Sequence, residues 1–516
     1  MTRKTFPIFL LLAIVITACN AVQAPTPTPT ATSTATPTLT ITPSPTATAT
    51  ATATSTLTPT ATNTPTITPT ATISPTPSIT PMPTVGFVFD NWKLFEIPPE
   101  IADGIENPLV AYIVNNDSVT VENLSTAQPS TNRQMLYFSS PVSGIRYSIM
   151  EMTASTGDQV YLSQSGNAAA YFVDDPAGAE TGLYILDMEL GFSARILPIS
   201  SLVQRGFFSE PQWSPDGQQL AIMLATGYDM DIYLIPRDGS SWVNITQHGA
   251  YDLWPRWSPD GRYLAFVSDR AICPSWRPED EGACDATTTP PPTGGHVYVI
   301  EMSTGEITRI SEGFATEPPR WINENLLAYA QTDPTDLLNP ERRLFIADIS
   351  TGTAREARQQ NGPEVPINAA EAWSPDGSMV LFQDGTQNNL IVLMNINGEI
   401  IDTLDNYAFP RFGMSAAWSP DGSRIAIGGA KGQCPYGILV VDDELDIWSN
   451  GQNPPPSMCD PVYSPDNQFL AFTGINAQRA DGASNIYVAS INGFGAANLT
   501  GDLRGEVTLL GWVGNP

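Results

Sequence analysis

Five residues, Trp213-Ser214-Pro215-Asp216-Gly217, return almost intact at Trp257 to Gly261, Trp373 to Gly377 and Trp418 to Gly422. Looser copies stand at Trp321 to Asn325, at Tyr463 to Asn467 and at Trp512 to Asn515. Proline pre-sets φ for the second residue of a tight turn, aspartate tolerates the third position, and glycine accepts positive φ at the fourth. The four full copies thus place Asp216, Asp260, Asp376 and Asp421, with Gly217, Gly261, Gly377 and Gly422, in reversals between two strands. Apolar runs such as Leu220 to Leu224, Tyr263 to Val267 and Phe469 to Phe472 follow the turns. Two further strands usually come next, as in Asp231 to Ile235 and Trp242 to Thr246, with Asp238-Gly239 as the hairpin signal between them. Each repeat therefore predicts a four-stranded antiparallel meander.

The motif aromatics at 213, 257, 321, 373, 418, 463 and 512 are separated by 44, 64, 52, 45, 45 and 49 residues. A period near 45 with four strands per unit is that of a β-propeller blade. The 64-residue interval contains an insertion, Asp269 to Gly295, between its second and third strands. Val160 to Gly166 aligns with the motif if Leu162 takes the aromatic place. Ahead of it, strand-like runs at Leu109 to Val114, Ser118 to Leu124 and Gln134 to Phe138 lack a motif strand of their own. Val507 to Trp512 supplies one if it pairs with that group, which leaves no sheet edge open. The expectation is an all-β chain with one propeller of eight blades, closed by the C-terminal strand; seven is the alternative.

The first 89 of the 516 residues are another material. They hold no acid and only two bases, so 21 of the 23 Lys and Arg face all 53 Asp and Glu in the rest, a formal charge of −32. Such a body repels nucleic acid. Residues 1–19 read as a signal peptide: Arg3 and Lys4 precede the apolar stretch Phe6 to Ile16, which is too short to span a membrane. It ends in Ile16-Thr17-Ala18-Cys19, which resembles the lipobox of bacterial lipoproteins; the resemblance implies that Cys19 is the acylated first residue of the mature chain. Residues 20–84, nearly all Thr, Pro, Ala and Ser, have too little apolar side chain for a core and predict a disordered stalk. Residues 85–516 are then the propeller.

The pattern Pro-x-Trp-Ser-Pro-Asp-Gly before an Ile-Ala-Phe-like strand resembles the TolB-type propeller, a repeat shared with the propeller domain of prolyl oligopeptidase-like enzymes. Asp252 to Gly261 with Leu264 to Arg270 carries it most fully, and the resemblance covers about residues 109–516. It implies the fold and a role in binding other molecules.

A serine peptidase would need a G-x-S-x-G elbow, a downstream His and an α/β domain, none of which follows the last repeat. With only His248 and His296 present, a multi-histidine metal site is excluded. Both read as polar loop residues. The acidic groups Asp229-Met230-Asp231 and Asp442-Asp443-Glu444 lack a full loop of spaced oxygen ligands and read as solvated turn acids. No cofactor is expected. The repeated Trp213, Trp257, Trp373 and Trp418, one per unit at a fixed strand position, read as packing between sheets.

The four cysteines after Cys19 allow three pairings. Cys273 and Cys284 share one insertion, whereas Cys434 and Cys459 flank the last three strands of the Trp418 repeat. Three repeats separate the two groups, too far for Cα atoms that must approach within about 7 Å. The expected bonds are Cys273 to Cys284 and Cys434 to Cys459.

The functional expectation is a membrane-anchored, extracytoplasmic binding or scaffold lipoprotein of the cell membrane or outer envelope, acting as a monomer on a protein or an envelope polymer such as peptidoglycan or a glycan. The alternative is a secreted hydrolase or lyase acting on a peptide or polysaccharide with channel carboxylates. In a four-stranded meander the Ser-Pro-Asp-Gly turns emerge on one face. The links between second and third strands, and from one repeat to the next, emerge on the other, with Asp269 to His296, Gln331 to Arg343, Gly429 to Tyr436, Asn450 to Asp460 and Gly474 to Ser484. That long-loop face is the expected binding side, and Ala271 to Thr293 is expected to be removable without loss of stability.

Overall fold

The computed structural model describes residues 85–88, 92–115, 133–153, 160–173, 181–198, 210–225, 227–285, 287, 293–332, 343–357, 371–384, 390–404, 414–429, 434, 437–450, 457–475 and 484–514. All lie within one compact unit, Pro69–Pro516. Cys19, the signal segment and the stalk lie outside the described residues.

The described strands form five four-stranded antiparallel sheets, one six-stranded sheet and one eight-stranded sheet that holds two meanders. Counted as units along the chain, the second to sixth meanders start at Val160–Leu162, Gln212–Trp213, Asp252–Trp257, Arg320–Trp321 and Glu371–Trp373. The seventh and eighth start at Met414–Trp418 and Cys459–Tyr463 and share one sheet through a single parallel bridge, Gly429 to Cys459. The first is assembled from both ends of the chain. Glu506–Val513 pairs antiparallel with Leu109–Asn115, Trp512 opposite Val110.

That first meander also corrects the sequence reading. Leu109–Asn115 pairs directly with Arg133–Ser139, which pairs with Arg146–Thr153. Ser118 to Leu124 falls outside the described residues. Val85–Val88 and Trp92–Phe95 extend the sheet beyond Arg146–Thr153. Arg146 to Thr153 mixes polar with apolar side chains, a weaker signal than the continuous runs of the other repeats.

Second and third strands read as continuous apolar runs because sheets cover them on both sides; Leu264 to Val267 and Leu381 to Phe382 are wholly buried. Fourth strands such as Ile400–Leu404 are exposed along most of their length. Apolar clusters join the meanders in sequence. They unite Met150 with Tyr171, Ala170 with Trp213, Ala221 with Phe266, Val299 with Tyr329, and Ile346 with Phe382. Three more unite Leu393 with Trp418, Val440 with Phe472 and Val488 with Trp512. The last returns to the first meander, so the series closes on itself.

Each full motif uses its serine and aspartate as well as its Pro and Gly. Ser214 Oγ donates to Asp216 Oδ1 at 2.6 Å and accepts the Gln219 N–H at 3.0 Å, while Gly217, at φ 66°, donates its N–H to the Ser214 carbonyl at 2.8 Å. The same bonds recur at Ser258 with Asp260, Ser374 with Asp376 and Ser419 with Asp421.

Candidate binding faces

The motif tryptophans form spokes between meanders. Trp213 Nε1 donates to the Tyr161 carbonyl at 3.0 Å, Trp257 to Gln212 at 3.3 Å, Trp321 to Arg256 at 2.9 Å, Trp418 to Ala372 at 3.0 Å and Trp512 to Val462 at 2.9 Å. In every case the acceptor is the residue just before the motif aromatic of the preceding meander. Trp373 Nε1 and the Tyr463 hydroxyl are buried without such a partner. Trp213, Trp373 and Trp418 sit in the buried clusters, and an indole N–H adds a hydrogen bond that strand patterning does not reveal.

On the long-loop side the described insertion runs from Ser268, the end of one strand, to His296, the start of the next. Cys273 is bonded to Cys284, with Cα atoms 5.9 Å apart, and Cys434 to Cys459 at 4.9 Å. Between the first pair, Trp276 and Arg277 turn inward. Trp276 Nε1 donates to Asp269 Oδ2 at 2.7 Å, its N–H reaches the Gly249 carbonyl at 2.6 Å, and its ring meets Tyr251 edge to face at 5.7 Å. Gly249 has to be glycine, because a Cβ there would stand 2.1 Å from Ser275 Oγ. Arg277 reaches back to the third meander, with Nε 2.5 Å from Asp229 Oδ2 and Nη2 3.6 Å from Asp231 Oδ2.

Asp229 and Asp231 are consequently buried partners and not the solvated turn acids read from the sequence. Asp231 also accepts from Asn244 Nδ2 at 2.8 Å, Thr246 Oγ1 at 3.0 Å and the His248 N–H at 3.0 Å. Beside them Arg270 grips both oxygens of buried Asp252, at 2.8 and 2.9 Å, with its guanidinium over the rings of Phe266 and Tyr298. Burial pushes the carboxyls of Asp229 and Asp269 above their ordinary range against the donors that hold them. Burial, then Arg270, pushes the His248 imidazole down, and its Nδ1 accepts the Ala250 N–H at 3.2 Å. His296 opens a strand, with Nδ1 buried and unpartnered. His248 thus lies in a link between strands, half-buried, whereas His296 belongs to a strand and not to the insertion. Among the described residues no group of three or more His, Cys, Asp or Glu is placed to hold a metal ion. The exposed acids Asp443 and Glu444 follow Asp442, which accepts the Glu444 and Asp446 N–H groups in its own turn.

The insertion is thus a clasp across two meanders. Its outer surface carries Ile272, 56% exposed, and the exposed acids Glu279, Asp280 and Glu281. Most of the other long links, 333–342, 430–433, 451–456 and 476–483, lie outside the described residues.

On the turn side the first strands enclose a funnel of about 740 Å³. The residue before each motif aromatic lines it in four consecutive meanders: Tyr161, Gln212, Arg256 and Arg320. In the other four the same place holds Ala372, Ala417, Val462 and Gly511. None of the lining residues is Asp or Glu. The sequence reading missed these side chains, although comparing this one repeat position along the chain would have found them. Arg256 Nη2 lies 3.6 Å from Glu210, whose carboxylate is 63% exposed at the rim.

Residues 161–275 match the family model described as TolB beta propeller domain. No curated protein matches the chain. Solved structures resemble it at low identity. A crystal structure of the eukaryotic initiation factor is 13% identical, with 80% of this chain and 99% of that one covered at a TM-score of 0.48. TolB from Acinetobacter baumannii is 17% identical over 57% and 62%, at 0.32. Dipeptidyl peptidase 4 from Porphyromonas gingivalis is 12% identical over 68% and 54%, at 0.42.

Proposed function

We propose that this chain, a TolB-type β-propeller repeat protein, is an eight-bladed, extracytoplasmic binding lipoprotein anchored through Cys19. It would hold a protein or an envelope polymer on its long-loop face. No described helix is long and apolar enough to cross a membrane, and the anchoring rests on the lipobox alone.

The observation that carries the choice of face is the clasp. Cys273 to Cys284, Trp276 and Arg277 fix the insertion from inside, so its outer residues are presented in one conformation before any partner arrives. Pre-organisation lowers the ordering entropy of binding, which is about 0.5–1.5 kcal/mol for each side chain immobilised. A photo-crosslinking amino acid placed at Ile272 should yield an adduct in intact cells, whereas one placed at Gln218 on the turn side should not. Adducts at Gln218 alone would move the partner to the opposite face.

A further inference from the structure

We infer that the turn-side funnel is a second binding site, one that captures the C-terminal carboxylate of an extended peptide between Arg256 and Arg320. The two guanidiniums occupy the same place in consecutive repeats, on one wall of a cavity of about 740 Å³, a volume suited to a few residues. Burial pushes Arg256 down from its ordinary value; Glu210 opposes it, and the charge of Arg320 adds a smaller downward push, so the two cations act on each other. An anion between them relieves that repulsion, and a planar carboxylate suits the guanidinium fork.

Glu210, which does not line the funnel, shows the chemistry that Arg256 takes. Its carboxylate stands 3.6 Å from Arg256, and it adds to burial in raising the Tyr161 hydroxyl, which therefore stays protonated as a donor. Gln164 and Gln212 also line the funnel, and Leu162, Leu510 and the prolines Pro211 and Pro318 supply apolar surface. The formal charge of the chain, −30, selects against polyanions, because a ligand with many negative groups is repelled before it reaches the two arginines. One carboxylate at the end of an uncharged, apolar segment meets both conditions.

The test titrates the full chain with a pool of N-acetylated pentapeptides, randomised over uncharged residues, ending in a free carboxylate. The amidated pool and inorganic phosphate are titrated in parallel, and the funnel tryptophans report binding by fluorescence. The free-acid pool should bind at least tenfold more tightly than the amidated pool. Arg256→Gln and Arg320→Gln should each weaken it about tenfold, and Glu210→Gln should tighten it severalfold by removing the resident carboxylate. Equal binding of acid and amide, or no binding of the acid pool, overturns the inference without recourse to any variant. Phosphate binding as tightly as the acid pool would replace the peptide end by a free anion. Crosslinking at Ile272 is a separate readout, so either site can fail alone.

Discussion

The indole of Trp276 donates to Asp269 Oδ2 at 2.7 Å, and that carboxylate sits almost wholly out of water inside the unit that the insertion was expected merely to decorate. Removing the donor leaves a buried acceptor unsatisfied, which costs about 1–3 kcal/mol. Trp276→Phe should therefore lower the denaturation midpoint measurably. Replacing Ala271 to Thr293 by a Gly-Ser link should cost more, since Asp229 then also loses Arg277, although solvent at the 42%-exposed Arg277 side chain screens part of that pair. An unchanged melting temperature in the link variant would show that the clasp holds nothing.

Trp418 and Trp373 fill equivalent places, but only Trp418 has a partner for its Nε1, the Ala372 carbonyl at 3.0 Å. A Phe substitution removes similar packing from both. Trp418→Phe should destabilise more than Trp373→Phe by about 1 kcal/mol, the net worth of one hydrogen bond. Equal losses in urea unfolding would mean that the spoke adds nothing to packing.

Burial works against the Asp421 carboxylate, yet bonds from Ser419, Ser423 and Asn467 hold its pKa down to about 2. A folded value below the unfolded one contributes stability that is present above about pH 4 and is lost as pH falls towards 2. The stability difference between the wild type and Asp421→Asn should thus be largest near neutrality and shrink steadily on acidification through that window. Asp229 and Asp269 have the opposite sign. Their raised values contribute stability that is present below the ordinary carboxylate pKa and lost as pH rises through the folded one.

Deleting residues 506–516 should open the first meander, since it removes the strand paired with Leu109–Asn115 and the indole bond from Trp512 to Val462. The exposed edge should promote aggregation, and the melting temperature should fall by many degrees. A truncated chain that melts like the full one would show that the C-terminal strand closes nothing.

Cys19→Ser should release the protein from the membrane fraction or leave its signal uncleaved. Incorporation of a labelled fatty acid that is equal in mutant and wild type would remove the anchor.

Turn chemistry and period are local properties, and they made the fold legible. The Pro, Asp and Gly of the Trp213 motif close a reversal within five residues, and the recurrence of that motif orders the repeats along the chain. The cysteine pairings followed from repeat position in the same way. Arg146 to Thr153 escaped notice because its mixed side chains give a fainter signal than a run such as Leu264 to Val267.

What only the tertiary structure decided is the fate of side chains whose partners lie far along the chain. Asp229 meets Arg277 across 48 residues, and Trp257 finds the Gln212 carbonyl across 45. Arg256 and Arg320 share a funnel wall only once consecutive meanders stand side by side. A sequence pattern reports which face of a strand is apolar, because that depends on neighbours one or two residues away. Whether an acid is solvated or buried against a guanidinium depends on which other strand packs over it, and packing alone settles that.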